Sequence, residues 1–207
     1  MHLYDYLDSG NGYKVRLLLA QLGQKYDWTH VDIDSGQTRT PAFLKRNPNG
    51  RIPTLELDDG TNLPESNAIL WYLAEGSRFV PATQIGRAQV LQWMFFEQYS
   101  HEPYVATPRY ICRHLPADHP RRAELPDRLA KGRAALAVME EHLSTRQFFV
   151  CERYGIADIA LYAYTHVAPD GGLDLAPYPK VREWLARVAA QPQYVQLLAV
   201  PNKAVAA

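Results

Sequence analysis

The chain has 207 residues, with 22 basic and 22 acidic side chains and a formal net charge of zero. This length suits one large domain or two small ones, each with enough chain for a core, and the charge balance gives no footprint for nucleic acid or an anionic membrane. No apolar run approaches the ~20 residues of a membrane span, no signal peptide precedes the first strand, and Cys112 and Cys151 are too few for a disulfide framework, so the expected location is a reducing cytoplasm.

The first strand is predicted from His2 to Tyr6. After Leu7-Asp8-Ser9-Gly10-Asn11-Gly12 comes a helix carrying Val15, Leu18, Leu19 and Leu22 on one face and closed by Gly23. A second strand spans Tyr26 to Ile33, and Thr40-Pro41 opens a short helix containing Phe43 and Leu44. Leu55 and Leu57 alternate with Thr54 and Glu56, as in a half-buried strand, and Asp58-Asp59-Gly60 is its hairpin turn. A helix from Ser66 to Gly76 completes the order β-α-β-α-β-β-α.

Two points in this first part carry chemistry. Ser66 is predicted as the N-cap of the helix after the hairpin, where free N–H groups and the positive end of the dipole form an anion site. Glu65 places a carboxylate beside it, so a ligand bearing a carboxylate and an ammonium on one carbon satisfies both; an ordinary capped helix is the alternative. Proline at the head of a strand removes one ladder donor. If the Ile52-Pro53 bond is cis, the backbone of Ile52 faces outward and an extended peptide can pair with it, although local sequence does not determine the isomer.

Residues Ser77 to Thr83 form a linker broken by Pro81, and helices follow. Ile85, Ala88, Leu91, Phe95 and Tyr99 keep helical spacing until Pro103 and Pro108 disturb it. Further helices are predicted from Asp127 to Leu143, from Ile156 to Val167 as the most apolar and central one, and from Pro179 to Ala190. Gly155 takes the N-cap place of the Ile156 helix, with Asp158 at N3 able to bond back and Tyr154 able to staple to Ile159. The cysteines are not spaced as C-x-x-C and neither lies in the first half, so thiol chemistry there must come from a bound ligand.

Three segments in order, Ser9-Gly10-Asn11 with Tyr13-Lys14-Val15-Arg16, Asn47-Pro48-Asn49-Gly50-Arg51-Ile52-Pro53, and Glu65-Ser66-Asn67-Ala68-Ile69, resemble the thioredoxin-like domain of the cytosolic glutathione S-transferases. Phe95 to Pro103 and Ile156 to Tyr164 resemble the helical domain of the bacterial enzymes. The resemblance covers essentially the whole chain. It implies α/β plus all-α architecture, with a thioredoxin-like glutathione-binding domain over 1–76, a linker over 77–83 and an all-helical domain over 84–207.

The resemblance also implies glutathione as co-substrate, no metal, a small electrophile, and a homodimer in which Trp93, Phe95, Phe96 and Tyr99 supply apolar area, their alternative being the internal core. Ser9 is expected to stabilise the glutathione thiolate, with Asn11 as the alternative donor and a plain helix cap as the structural alternative. Glu65 and Ser66 are expected to hold the γ-glutamyl end, and Ile52, at the Ile52-Pro53 bond, to pair with the cysteinyl backbone. Gln37, Arg39 and Arg51 are candidates for the glycyl carboxylate, set against solvated loop positions. His101, Tyr104, Arg109 and Tyr110 are candidates for the electrophile pocket, set against core and interface roles. Gly12 departs from the Cys that similar bacterial sequences carry, which puts a protein-thiol mechanism in doubt. Glutathione-dependent reduction of peroxides or disulfides, and non-catalytic ligand binding, are the alternative functions.

Overall fold

Half-buried and buried side chains alternate along β1 (His2–Asp5), an inner strand of a four-stranded sheet. β2 (Asp27–His30) pairs with it in parallel and β3 (Thr54–Glu56) antiparallel, and β4 (Asn62–Pro64) closes the order β2-β1-β3-β4. The register sets Leu3 opposite both Trp28 and Leu55. Val15 and Leu19 from α1 (Gly10–Gln21) and Ile69 from α3 (Ser66–Ala74) pack on these three side chains. Full burial of each large apolar side chain contributes about 1.5–3 kcal/mol, so this face is the main stabiliser of the sheet. The short α2 (Pro41–Arg46) starts as predicted, with Thr40 Oγ1 accepting from Phe43 N–H at 3.3 Å.

The computed structural model describes residues 1–201, whose contacts divide into two units, residues 1–75 with 192–201, and residues 76–191. The helical domain expected from the sequence spans 84–207, of which residues 202–207 lie outside the described residues. Instead, residues 192–201 cluster with the first unit, held there by Tyr13 and Arg16 of α1.

Most element boundaries agree with the periodicity, and the departures have local causes. β1 stops at Asp5 because the Asp5 carboxylate takes the Tyr6 N–H at 2.7 Å. β2 is shorter than predicted, covering four residues. α3 ends at Ala74, with Gly76 left-handed just beyond (φ 70°).

The second unit is helical. α4 (Gln84–Phe96) passes through a π-helical turn (Glu97–His101) into α5 (Glu102–His114), so the two prolines disturb but do not end the run. Pro103 lies in the first turn of α5, where its missing N–H is harmless. Pro108 lies inside the helix and cannot bond to the Tyr104 carbonyl; a Cβ on Gly132 would meet that carbonyl oxygen at 2.6 Å, so α6 (Leu125–Leu143) approaches closely there because of the glycine.

All ten residues of α7 (Ile156–Thr165) are buried. Asp158 Oδ2 accepts the Gly155 N–H at 3.0 Å, giving the predicted reciprocal bond at the helix start. Its Oδ1 accepts from Phe149 N–H at 3.2 Å and from Trp184 Nε1 of α8 (Pro179–Ala189) at 2.9 Å. Trp93 points inward, edge-on to Phe149 and His142 at 4.6 Å, whereas Phe95 and Tyr99 are 69% and 83% exposed. The four aromatic positions therefore do not share one face. Among the described residues no helix is long and apolar enough to cross a membrane.

Candidate anion site at two helix N-termini

Ser9 has extended backbone and caps α1, its Oγ accepting from Gly12 N–H at 3.2 Å. The first turn carries no acidic residue, so the dipole and the remaining N–H groups keep their attraction for an anion. The Ser9 hydroxyl hydrogen is not used by the cap, because the cap employs only an oxygen lone pair. Gly12 is required by its surroundings: a side chain there would overlap the Asp5 carboxylate. The absence of cysteine at this position thus has a steric reason within this chain.

Asn11, on the same turn, reaches the start of α3. Ser66 Oγ lies 3.3 Å from Asn11 Oδ1 and 3.3 Å from Lys14 Nζ. Lysine has only donors, so Ser66 accepts from Lys14 and gives its own hydrogen to Asn11, which fixes the orientation of the Asn11 amide. Lys14 is fully buried and Ser66 nearly so. Lys14 stands in a matching motif but is not among the site residues expected from the sequence, where its signal is a cation inside an otherwise apolar helix stretch.

Ser66 is not the cap that the sequence predicted. Glu65 occupies that position at φ 70°, ψ 110°, without a side-chain cap bond, and Ser66 is the first helical residue. The left-handed turn at Glu65 directs Ser66 towards α1 instead of across its own first turn. A non-glycine residue in such a conformation costs on the order of 1–3 kcal/mol and is held by its surroundings. Glu65 itself is exposed, and α3 likewise has no acid in its first turn.

The Ile52-Pro53 peptide bond is cis. Ile52 precedes the ladder, and the pairing of Thr54 with Pro64 brings residues 52–53 and 65–66 to the same end of the β3–β4 hairpin. Buried Asn47 shapes the loop before it: its Nδ2 donates to Arg51 O at 2.7 Å and its Oδ1 accepts from Asn49 N–H at 3.0 Å. Arg39 donates to Asn49 O at 3.1 Å and so braces the same loop from its exposed position. Gln37 Oε1 accepts from Asp32 N–H at 2.8 Å and closes the turn over residues 32–37. The Arg51 side chain is exposed.

The remaining candidates lie in the second unit. His101 is buried, with Nε2 2.9 Å from Thr165 Oγ1, and Arg109 is buried with Nε 3.2 Å from Asp170 Oδ2. Tyr104 and Tyr110 are half-buried; Tyr110 stacks on His114 at 5.0 Å, and Lys131 Nζ lies 5.4 Å from the Tyr104 ring centre. Two of the four are thus engaged within the helical packing, and two keep accessible ring surface.

Comparison with known proteins matches both halves of the chain. Residues 1–75 match the glutathione S-transferase N-terminal domain and residues 93–192 the C-terminal domain. A crystal structure of glutathione S-transferase from Pseudomonas fluorescens Pf-5 superposes with a TM-score of 0.92 at 53% identity, covering 96% of this chain and 98% of that one. A glutathione transferase from Burkholderia graminis, solved with two glutathione molecules bound per subunit, gives 0.84 at 28% identity, covering 98% of this chain and 88% of that one. Disulfide-bond oxidoreductase YfcG of Escherichia coli is 30% identical over 91% of this chain and 90% of its own length. Elongation factor 1-gamma of Danio rerio is 32% identical over 95% of this chain, which spans only 45% of that relative. With both domain families matched in order along a thioredoxin-like sheet and a helical second unit, the chain belongs to the glutathione S-transferase family.

Proposed function

We propose that the protein binds glutathione at the paired N-termini of α1 and α3 and activates its thiol for attack on a small electrophile. One observation carries this reading: the 3.3 Å hydrogen bond between Ser66 and Asn11 ties together two helix starts whose first turns carry no acid. The α3 start with Glu65 suits the α-carboxylate and ammonium of the γ-glutamyl end. Ile52 offers backbone groups to the cysteinyl part, and Arg39, Gln37 and Arg51 border the glycyl end. The Burkholderia graminis structure, with glutathione bound, supports this choice of ligand.

Ser9 donates its hydroxyl hydrogen to the thiolate, with the Asn11 amide as second donor. Lowering a thiol pKa by about two units requires roughly 2.7 kcal/mol of preference for the anion, within reach of one charge-assisted hydrogen bond and a helix dipole. The thiolate sulfur then bonds to the electrophilic carbon, the leaving group departs with its electron pair, and the thiol proton passes to solvent. Tyr104 and Tyr110 are the proposed electrophile contacts, while His101 and Arg109 are buried in bonds to Thr165 and Asp170. The protein acts in the cytoplasm as a homodimer, with Phe95 and Tyr99 as the buried anchors.

A second reading, glutathione-dependent reduction of disulfides or peroxides, is favoured by the likeness to YfcG over nine-tenths of both chains. Calorimetry with glutathione, followed by turnover with chlorodinitrobenzene, cumene hydroperoxide and a dialkyl disulfide, tests both. Glutathione binding with the first substrate turned over fastest is expected. Turnover confined to the other two establishes the reductase, and binding without any turnover establishes a non-catalytic binder.

A further inference from the structure

Arg16 of α1 is buried, at 2% exposure, and donates to three acceptors on two segments of the chain. Nε donates to Asp5 Oδ2 at 2.8 Å, one Nη to Leu7 O at 2.6 Å and the other Nη to Leu197 O at 2.6 Å. The last acceptor lies 181 residues away in sequence, on the segment 192–201 that returns to the first unit. One turn earlier, the Tyr13 hydroxyl donates to Val195 O at 2.7 Å. Leu197 is buried, but farther along the strap overhangs a cavity of about 500 Å³ bordered by Arg16, Ala20, Lys25, Tyr26 and Val200. Two polar bonds from α1 thus hold the strap beside this cavity.

The other acceptors of Arg16 flank the turn that carries Ser9. Leu7 is two residues before it. Asp5, whose second oxygen holds Tyr6 N–H, lies against Gly12, and Gly12 N–H is the group capped by Ser9 Oγ. A planar guanidinium offers five donors in a rigid fork, so a change in one acceptor alters the fit of the other two. We propose that Arg16 is a positioning residue that couples the 192–201 strap to the Ser9 turn, so that a segment remote in sequence holds the thiol-activating hydroxyl in place. This inference rests on the thiol-activating role proposed for Ser9. A misplacement of about 1 Å at such a site is enough to slow turnover substantially.

The test uses the full chain with Arg16→Lys and Tyr13→Phe. Lysine keeps a cation beside Asp5, but its compact head cannot span three acceptors; phenylalanine releases Val195 and leaves Arg16 intact. Two readouts are taken: amide hydrogen exchange over residues 7–13, which needs no glutathione, and the pH dependence of kcat with the glutathione Kd. In Arg16→Lys, exchange in the Ser9 turn should rise by about tenfold, and kcat should fall about fivefold or more, with an acidic limb moved upward and Kd within about twofold. Tyr13→Phe should move the same readouts in the same direction by less, and it carries the test alone if Arg16→Lys does not fold. Faster exchange over 193–199 with an unchanged Ser9 turn and unchanged acidic limb would overturn the coupling. A wild-type protein that neither binds nor conjugates glutathione would instead refute the proposed function, and the exchange measurement would still decide whether strap and turn are linked.

Discussion

The α-carbon of Gly12 rests against the Asp5 carboxylate with no space for a side chain, and that carboxylate is held by Arg16 and the Tyr6 N–H. Gly12→Ala should therefore displace a buried ion pair as well as crowd the helix start. Overpacking costs typically about 1–3 kcal/mol, and a disturbed buried charge adds to that. A fall in the urea midpoint with unchanged m-value is the expected result. Gly12→Cys adds a larger side chain at the same place and should lower the midpoint further. An unaltered midpoint in Gly12→Ala would show that Asp5 moves freely.

Ser9→Ala removes both the cap acceptor and the hydroxyl donor, whereas Ser9→Gly keeps most of the capping free energy, losing only a few tenths of a kcal/mol relative to serine. The glycine variant is thus the cleaner probe of chemistry. Its kcat should fall by roughly one to two decades, matching a lost hydrogen bond to an anion of about 1.5–3 kcal/mol, with a smaller change in glutathione Kd. The acidic limb of the pH–rate profile should move upward. Wild-type turnover in Ser9→Gly would leave Asn11 and the backbone amides as the activating groups.

Glu65 holds a left-handed conformation, at φ 70°, that glycine adopts without penalty. Glu65→Gly should raise stability by about 1 kcal/mol while raising the glutathione Kd, because the carboxylate that meets the ligand ammonium is lost. Glu65→Ala should raise Kd without the stabilisation. Thermal melts paired with calorimetry on all three proteins separate the two effects, and equal melting of the glycine and alanine variants would mean the backbone stores no strain there.

Asp158 should act on stability alone. Burial pushes its carboxyl up to about 7, against the hydrogen bonds from Trp184, Phe149 and Gly155. A folded-state pKa raised above the unfolded value means that the folded protein holds the proton more tightly. Its contribution is therefore fully present below about pH 4 and is lost as pH rises through about 7. The buried Asp5 carboxyl is also pushed up by burial and works in the same direction. Asp158→Ala should lower Tm, flatten the decline of Tm between about pH 4 and 7, and leave glutathione affinity of the folded fraction intact. Lost binding at unchanged Tm would make Asp158 a ligand residue.

Phe95 and Tyr99 lie one helical turn apart and largely exposed, with Leu91 one turn earlier. Phe95→Asp with Tyr99→Asp should convert the proposed dimer to a monomer near 23.5 kDa by sedimentation. A wild-type protein that already sediments at that mass at micromolar concentration excludes the dimer.

The order of strands and helices was legible in the sequence because it depends on local periodicity: Leu55 and Leu57 alternate, Val15, Leu18 and Leu19 recur on one helix face, and Gly155 with Asp158 marks a helix start within four residues. The likeness of three short motifs to one family located the candidate site for the same reason, since each motif is contiguous. Tertiary structure decided what local pattern cannot encode. Trp93 turned inward while Phe95 stayed out, because the helical packing offers Phe149 and His142 to only one of them. Ser66 became a relay between Lys14 and Asn11 instead of a cap, through a left-handed turn at Glu65 that no residue preference announces. Buried Lys14 and Arg16 find their partners on chain segments 52 and 181 residues away. A charge in an apolar helix shows in the sequence that a partner must exist, because an unpaired buried ion is too costly; only the folded chain shows which atom it is.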